Sequence, residues 1–193
     1  MSLAKLNKTP AKRVLGIDAS THSVAFCIFN GDDVESYGEI FFDGGDVYER
    51  ILDAKRKMSA LRKIGFFDVD FMAIEAGVMV RSAATGIKMA YIFGAIMGEV
   101  LDDGIKVVEV HPVTWQSFIG NKNFNKAEKE EVYREYPGKS KTWYSNKIRT
   151  LRKERTLLFM AGKGIITKSD NVADAAGISY YAVNNLTRQN IRE

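Results

Sequence analysis

The sequence predicts an α/β domain built on a five-stranded sheet. Three observations carry this. Apolar runs at about 13–19, 24–29 and 34–42 follow one another with only short turns between them. Two more, at about 69–75 and 105–110, alternate with segments of helical periodicity. Two of the five runs also end in an acid, Asp18 and Glu75. A carboxylate at the end of a buried strand is costly unless it has a partner. Such an end marks a site for a cation or, for Asp18, a turn capped by its own side chain.

Residues 1–12 are polar and lysine-dotted and read as a flexible leader; 13–193 read as one domain. The run Val24–Phe29 is apolar throughout, as expected of a strand buried on both faces. Asn30-Gly31 after it is a hairpin signal, so the first three strands are antiparallel neighbours. A helix at about 46–64 carries Val47, Ile51, Leu52, Met58, Leu61 and Ile64 at roughly helical spacing. The next, about 83–102, mixes Gly and Ala with Ile, Met, Tyr and Phe and is apolar nearly all round. It should be buried on more than one side, against the sheet or against a second copy of itself. Pro112 suits the first turn of a helix at about 113–119. His111, at a strand end, reads as a hydrogen-bonded or core histidine rather than a ligand. Periodicity fades from Gly120 to Asn146, a basic and aromatic insertion (about 121–146) in which Lys122, Lys126, Lys129, Lys139 and Lys141 alternate with Phe124, Tyr133, Tyr136, Trp143 and Tyr144. A basic helix at about 146–162 and a final helix at about 170–186 close the chain. There are no internal repeats and no low-complexity tract.

The apolar fraction of 46%, without an apolar run of membrane length, points to a globular protein in water. No signal peptide is recognisable, and the lone Cys27 rules out an internal disulfide. A cytoplasmic location, in a bacterium or a phage-infected host, is the expectation. The net charge of +4 is uneven: Gly138 to Lys168 holds nine Lys or Arg against one acid, Glu154. A basic segment on a mildly acidic body suggests a surface for a polyanion. On its helix, Arg149, Arg152 and Lys153 share a face and are candidate phosphate contacts.

Asp170 and Asp174 stand one turn apart on the last helix. Asp170 in a first turn also complements the helix dipole. Ala173, Ala175, Ala176 and Ile178 seat that helix closely on the sheet and carry Asp174 inward. Four acids on three elements suit hard divalent cations, and Mg²⁺ needs only a few carboxylates because it keeps several waters. Two such ions can support phosphodiester hydrolysis.

The segments Leu-Gly-Ile-Asp18, Ala-Ile-Glu75 and Asp-Asn-Val-Ala-Asp174-Ala, in this order, resemble the RuvC-type Holliday-junction resolvases of the ribonuclease H-like superfamily. The resemblance spans about 13–186. It implies a five-stranded mixed sheet, strands 1–3 antiparallel and 4–5 parallel to strand 1, flanked by helices. It implies a junction-cutting endonuclease that leaves 5′-phosphate and 3′-hydroxyl ends. Two Mg²⁺ ions, replaceable by Mn²⁺, would be held by Asp18, Glu75, Asp174 and an upstream acid. Bacterial members usually place that acid three residues before the last Asp; here that position is Asn171, so Asp170 takes the role and Asn171 is a weaker candidate. The family's homodimer would form through the helix 83–102, on branched DNA and with no membrane. Val78 or Met79 would wedge into the junction, and Lys122, Lys126 and Lys129 would meet phosphates. Lys141 joins them as a DNA contact in the aromatic-basic stretch.

Three other readings compete. The acids set chemistry and not substrate, so an RNA–DNA hybrid or flap nuclease fits them as well. The run Gly16–Thr21 also resembles the first phosphate loop of sugar kinases and actin-like ATPases, which need a second domain that 193 residues leave no room for. A non-catalytic nucleic-acid-binding module would leave the clustered acids without a purpose.

Overall fold

The computed structural model describes residues 12–76, 82–101 and 105–189. Its strands are β1 (Arg13–Ala19), β2 (Ser23–Asn30), β3 (Asp33–Phe41), β4 (Phe71–Glu75) and β5 (Lys106–Val110). The helices are α1 (Val47–Lys63), α2 (Ala83–Val100), α3 (Pro112–Phe118), α4 (Lys126–Glu135), α5 (Lys141–Ala161) and α6 (Asp170–Gln189). One sheet runs in the order β3-β2-β1-β4-β5. β1 pairs antiparallel with β2, β2 antiparallel with β3, and β1, β4 and β5 are parallel. Gly31 makes the β2–β3 turn with φ 62°, a conformation that costs other residues a steric clash.

Alternation along β1 divides the core in two. Leu15 and Ile17 face α1 and α2, among Met58, Ile92, Ile96 and Val100. Val14 faces the other way with Ala25, Cys27 and Ala73, toward α6, Trp115 of α3 and Met160 of α5. A sheet covered on both faces accounts for its continuous apolar strands. At the Arg13 end of β1, the Arg13 guanidinium pairs with Glu35 of β3, and its backbone N–H donates to Asp70 (2.9 Å). Among the described residues no helix is long and apolar enough to cross a membrane.

One stretch departs from expectation. The insertion is ordered: α4 starts at a capping box, in which Asn125 accepts from Glu128 N and Glu128 accepts in return from Asn125 N. Only Val132 of α4 is buried, so its apolar period is nearly invisible. α5 begins five residues before the expected start, after Ser140, whose hydroxyl caps Trp143 N. The aromatics of the insertion hold the two helices together. Tyr133 meets Tyr144 at 4.5 Å, Tyr136 meets Trp143 at 5.2 Å, and Tyr144 Oη donates to Tyr136 O.

α2 meets its expectation on one side. Within one chain it buries Ile92, Ile96 and Val100, while Ile87 and Tyr91 are 51% and 50% exposed. Among the described residues, a Cβ added at Gly94 or Gly98 would meet nothing within 4 Å. The helix is therefore buried on one side only, and its small-residue face is open. The leader up to residue 11 and residue 102 of the expected helix lie outside the described residues.

Candidate metal centre and its cleft

The register of the sheet places three acids in one transverse row. Asp18 of β1 pairs with Ala25 of β2, which pairs with Glu39 of β3. On the other side Ile17 is level with Ile74, so Glu75 of β4 stands beside Asp18. All three point to the α6 face, because Gly16, two residues before Asp18, faces that helix. A Cβ on Gly16 would sit 2.3 Å from Ala175 O and 2.6 Å from Ser179 Cβ. The missing side chain lets α6 lie directly on β1, where Ser179 Oγ donates to Val14 O at 2.9 Å. This contact carries Asp174 to the row.

Asp18 and Asp174 both titrate at about 7 rather than the ordinary 3.8. Burial is the main cause for each; neighbouring carboxylates add to it, Asp174 and Glu75 for Asp18, and Glu75 for Asp174. Glu75 is also pushed up by burial, against which Trp115 Nε1–H donates to Oε1 at 3.1 Å. The turn after β1 is capped by Ser20, whose hydroxyl accepts from His22 N and Ser23 N. That work is not done by Asp18, which leaves its carboxylate for another partner.

The structure brings Asp18, Glu75 and Asp174 together but turns Asp170 aside, into an ion pair with Lys153. Asn171 Nδ2–H donates to Glu39 Oε1 at 2.8 Å. Lys153 also lowers the pKa of Asp18 and Asp174, opposing their burial.

Beside Glu75 and Asp174 opens a cleft of about 650 Å³ whose walls include Lys129, Arg149, Arg152 and Lys153. Lys129 and Arg149 make no side-chain hydrogen bond or ion pair among the described residues. Arg152 is committed to the fold: its guanidinium donates to Gln116 Oε1 and Asn121 O. Buried Asn121 returns the grip, donating to Arg152 O (2.8 Å) and Thr156 Oγ1 (2.9 Å). Lys126 is paired loosely with Glu130 (3.9 Å) on α4, and Lys122 and Lys141 are exposed outside the cleft walls. Val78 and Met79 lie outside the described residues. His111 is exposed at the N-cap of α3 without a side-chain cap bond, so it is not a core histidine.

Sequence reasoning missed Glu39, Trp115 and Asn121. Trp115 stands one turn after the strand-ending Val110 and fills the space beside Gly177, where a Cβ would come 2.5 Å from the ring. That tryptophan–glycine complementarity is tertiary and leaves no local trace.

No protein-family model matches the sequence, and no curated protein matches it. Solved structures do. Thermus thermophilus RuvC in complex with a Holliday junction substrate aligns over 90% of this chain and 96% of its own, at 14% identity and TM-score 0.63. Thermus thermophilus RuvC on its own aligns over 88% and 95%, at 16% identity and TM-score 0.58. The fold is the ribonuclease H-like fold of RuvC. In this RuvC-like frame the acids sit at the ends of β1 and β4 and on the helix that crosses them.

The donor set fits a hard divalent ion. It is all oxygen, and Asp18 and Asp174 have no hydrogen-bond or ion-pair partner among the described residues. No three Asp, Glu, His or Cys side chains among those residues gather tightly enough to enclose one ion. An ion held here would therefore meet carboxylates in pairs and keep several of its waters, the manner in which Mg²⁺ is bound.

Proposed function

We propose that this chain is a divalent-metal-dependent DNA endonuclease that cuts four-way junctions as a homodimer. The observation that carries the reading is the meeting of Asp18 with Glu75 and Asp174, two acids that themselves line a cleft walled by cations. Acids alone repel a phosphodiester and cations alone only bind one; side by side they hold a phosphate against a metal site. The RuvC-like fold supports the junction as substrate, since Thermus thermophilus RuvC has been solved with one.

Asp18, Glu75 and Asp174 would hold two Mg²⁺ ions, with Mn²⁺ as a substitute. Bound there, the ions supply an activated water and stabilise the departing oxygen, leaving 5′-phosphate and 3′-hydroxyl ends. The chain's own residues do the rest. Trp115 orients Glu75, Lys129 and Arg149 neutralise phosphates along the cleft, and Lys153 offsets the charge of the acids. The open face of α2 is the dimer contact, which pairs two sites for two strands.

The test sets a four-way junction, plain duplex, RNA–DNA hybrid and flap side by side, with and without Mg²⁺. Paired nicks in the junction alone are expected. Asp18→Asn, Glu75→Gln and Asp174→Asn should each abolish cutting but not binding, because removing negative charge near phosphates does not weaken an electrostatic interaction. Cutting of the hybrid in preference to the junction would replace the substrate assignment. An Asp174→Asn variant that cuts at the wild-type rate would remove the site.

A further inference from the structure

Glu39 has no part in the reading above, yet it stands in the same row as Asp18 and Glu75, roughly 10 Å from Asp18 across two strand spacings. Its carboxylate is engaged on both oxygens. Oε1 accepts from Ser23 Oγ (2.7 Å) and Asn171 Nδ2 (2.8 Å), and Oε2 accepts from Ser169 Oγ (2.6 Å). Each donor leads to one of the two acids without a partner. Ser23 Oγ lies 3.1 Å from Ser20 Oγ, and Ser20 caps the turn that follows Asp18. Ser169 caps α6 through Val172 N (3.3 Å), and Asn171 is in the first turn of α6, one turn before Asp174.

We infer that Glu39 is a positioning residue that clamps the first turn of α6 to the turn after β1 and so sets how Asp174 meets Asp18. The inference rests on the metal-site reading proposed above. The hydrogen-bond chain Ser20–Ser23–Glu39–Ser169 is the polar counterpart of the contact at Gly16: one fixes the start of α6, the other its middle. The Lys153–Asp170 pair holds the same first turn from the α5 side. A carboxylate suits the centre of this clamp because three groups donate to it and it offers only acceptors. Burial disfavours its charge, but the bonds from Ser169, Asn171 and Ser23 outweigh burial and hold the carboxyl below its ordinary range. An amide there would turn its own N–H toward one of those donors. With both oxygens committed, Glu39 is a strut and not a ligand.

The experiment is a Mg²⁺ titration of the whole protein without DNA, read by the rise in melting temperature, beside a cleavage assay at saturating Mg²⁺. Glu39→Gln should move the Mg²⁺ midpoint up roughly 10-fold, the cost of losing a group that orients a metal ligand, while cutting at saturating metal stays within about threefold of wild type. Asn171→Ala, which removes one strut and leaves the charge in place, should move it in the same direction. Arg13→Ala, which breaks the pair with Glu35 at the far end of β1, should lower the melting temperature and leave the midpoint alone. Midpoints unchanged in both Glu39→Gln and Asn171→Ala, with Asp174→Asn displaced, would overturn the positioning role and leave the metal site standing. Loss of cutting at saturating metal with an unmoved midpoint would also overturn it, because Glu39 would then act in the chemistry. Should Asp174→Asn itself titrate as wild type, the metal reading falls and this inference with it.

Discussion

Trp115 and Glu75 are joined by a single hydrogen bond, from the indole Nε1–H to Oε1 at 3.1 Å. It is the interaction that opposes the burial of Glu75. Trp115→Phe keeps an aromatic ring in the core and deletes the donor, together with part of the indole ring that packs against Gly177. The pKa of Glu75 should then rise further, so more of it is protonated at a given pH and the acid limb of the rate profile moves to higher pH. Cleavage near neutrality should drop roughly 10-fold, the usual scale for a group that orients a metal ligand. Rate against pH at saturating Mg²⁺ checks this; an unshifted limb would mean the bond does not tune the site.

The raised pKa values of Asp18 and Asp174 make the metal-free protein sensitive to base. In the folded chain both hold protons up to about 7, whereas the ordinary value is 3.8. Between these values the folded state binds more protons than the unfolded one, so stability falls as pH rises. It is full below about pH 4 and lost through about pH 7. In EDTA the wild type should therefore melt lower at pH 8 than at pH 5. Asp174→Asn should melt higher than wild type at pH 8, by roughly 2–4 °C for each kcal/mol of repulsion relieved. Millimolar Mg²⁺ should narrow or reverse the gap, because it binds the wild-type native state better. If Asp174→Asn melts lower in EDTA and Mg²⁺ changes nothing, the acid is structural.

Gly94 has open space around it among the described residues of one chain. Gly94→Leu should leave the monomer's melting temperature within about 1 °C, since an exposed substitution without a clash costs little. Where α2 meets a second copy, the same leucine overfills the interface and costs about 1–3 kcal/mol. Sedimentation should then show more monomer, and paired nicking should fall further than single nicking. A wild type that stays monomeric on a junction would remove the dimer.

The cations of the cleft separate into two kinds. Replacing Lys129 and Arg149 by Gln should lower the slope of log affinity against log salt by roughly 0.9 for each phosphate no longer neutralised. Affinity should drop for every DNA shape alike. Arg152→Gln should instead cost about 1.5–3 kcal/mol of stability, the worth of a hydrogen bond from a charged group. Equal salt slopes in all three variants would make Arg152 a phosphate-binding side chain like the others.

The sheet was legible because its strands are buried on both faces and their apolar runs are continuous, and because Asn30-Gly31 marks the hairpin. The meeting of Asp18, Glu75 and Asp174 was legible because a carboxylate at the end of a buried strand, or among alanines on a helix, is costly without a partner, but that Ser20 and not Asp18 caps the turn shows only in the structure. Asp170 has the expected spacing from Asp174, but it pairs with Lys153, seventeen residues upstream, and only tertiary structure shows that. Glu39 was hidden in an alternating edge strand, where polar residues read as a solvent face. α4 was hidden because one buried valine makes no period, although its Asn125–Glu128 capping box was present in the sequence.

Gly16 touches no substrate and makes no polar side-chain contact, yet it acts as a gauge for the whole centre. A single methyl group there would come 2.3 Å from Ala175 O and 2.7 Å from Ser179 N, so backbone must shift to admit it. Helix α6 would have to lift bodily, taking Asp174 away from Asp18 and Glu75 while every acid kept its identity. Gly16→Ala should therefore yield a protein that still grips junctions but no longer cuts them. The tolerance of the reaction is thus written at a position with no chemistry of its own.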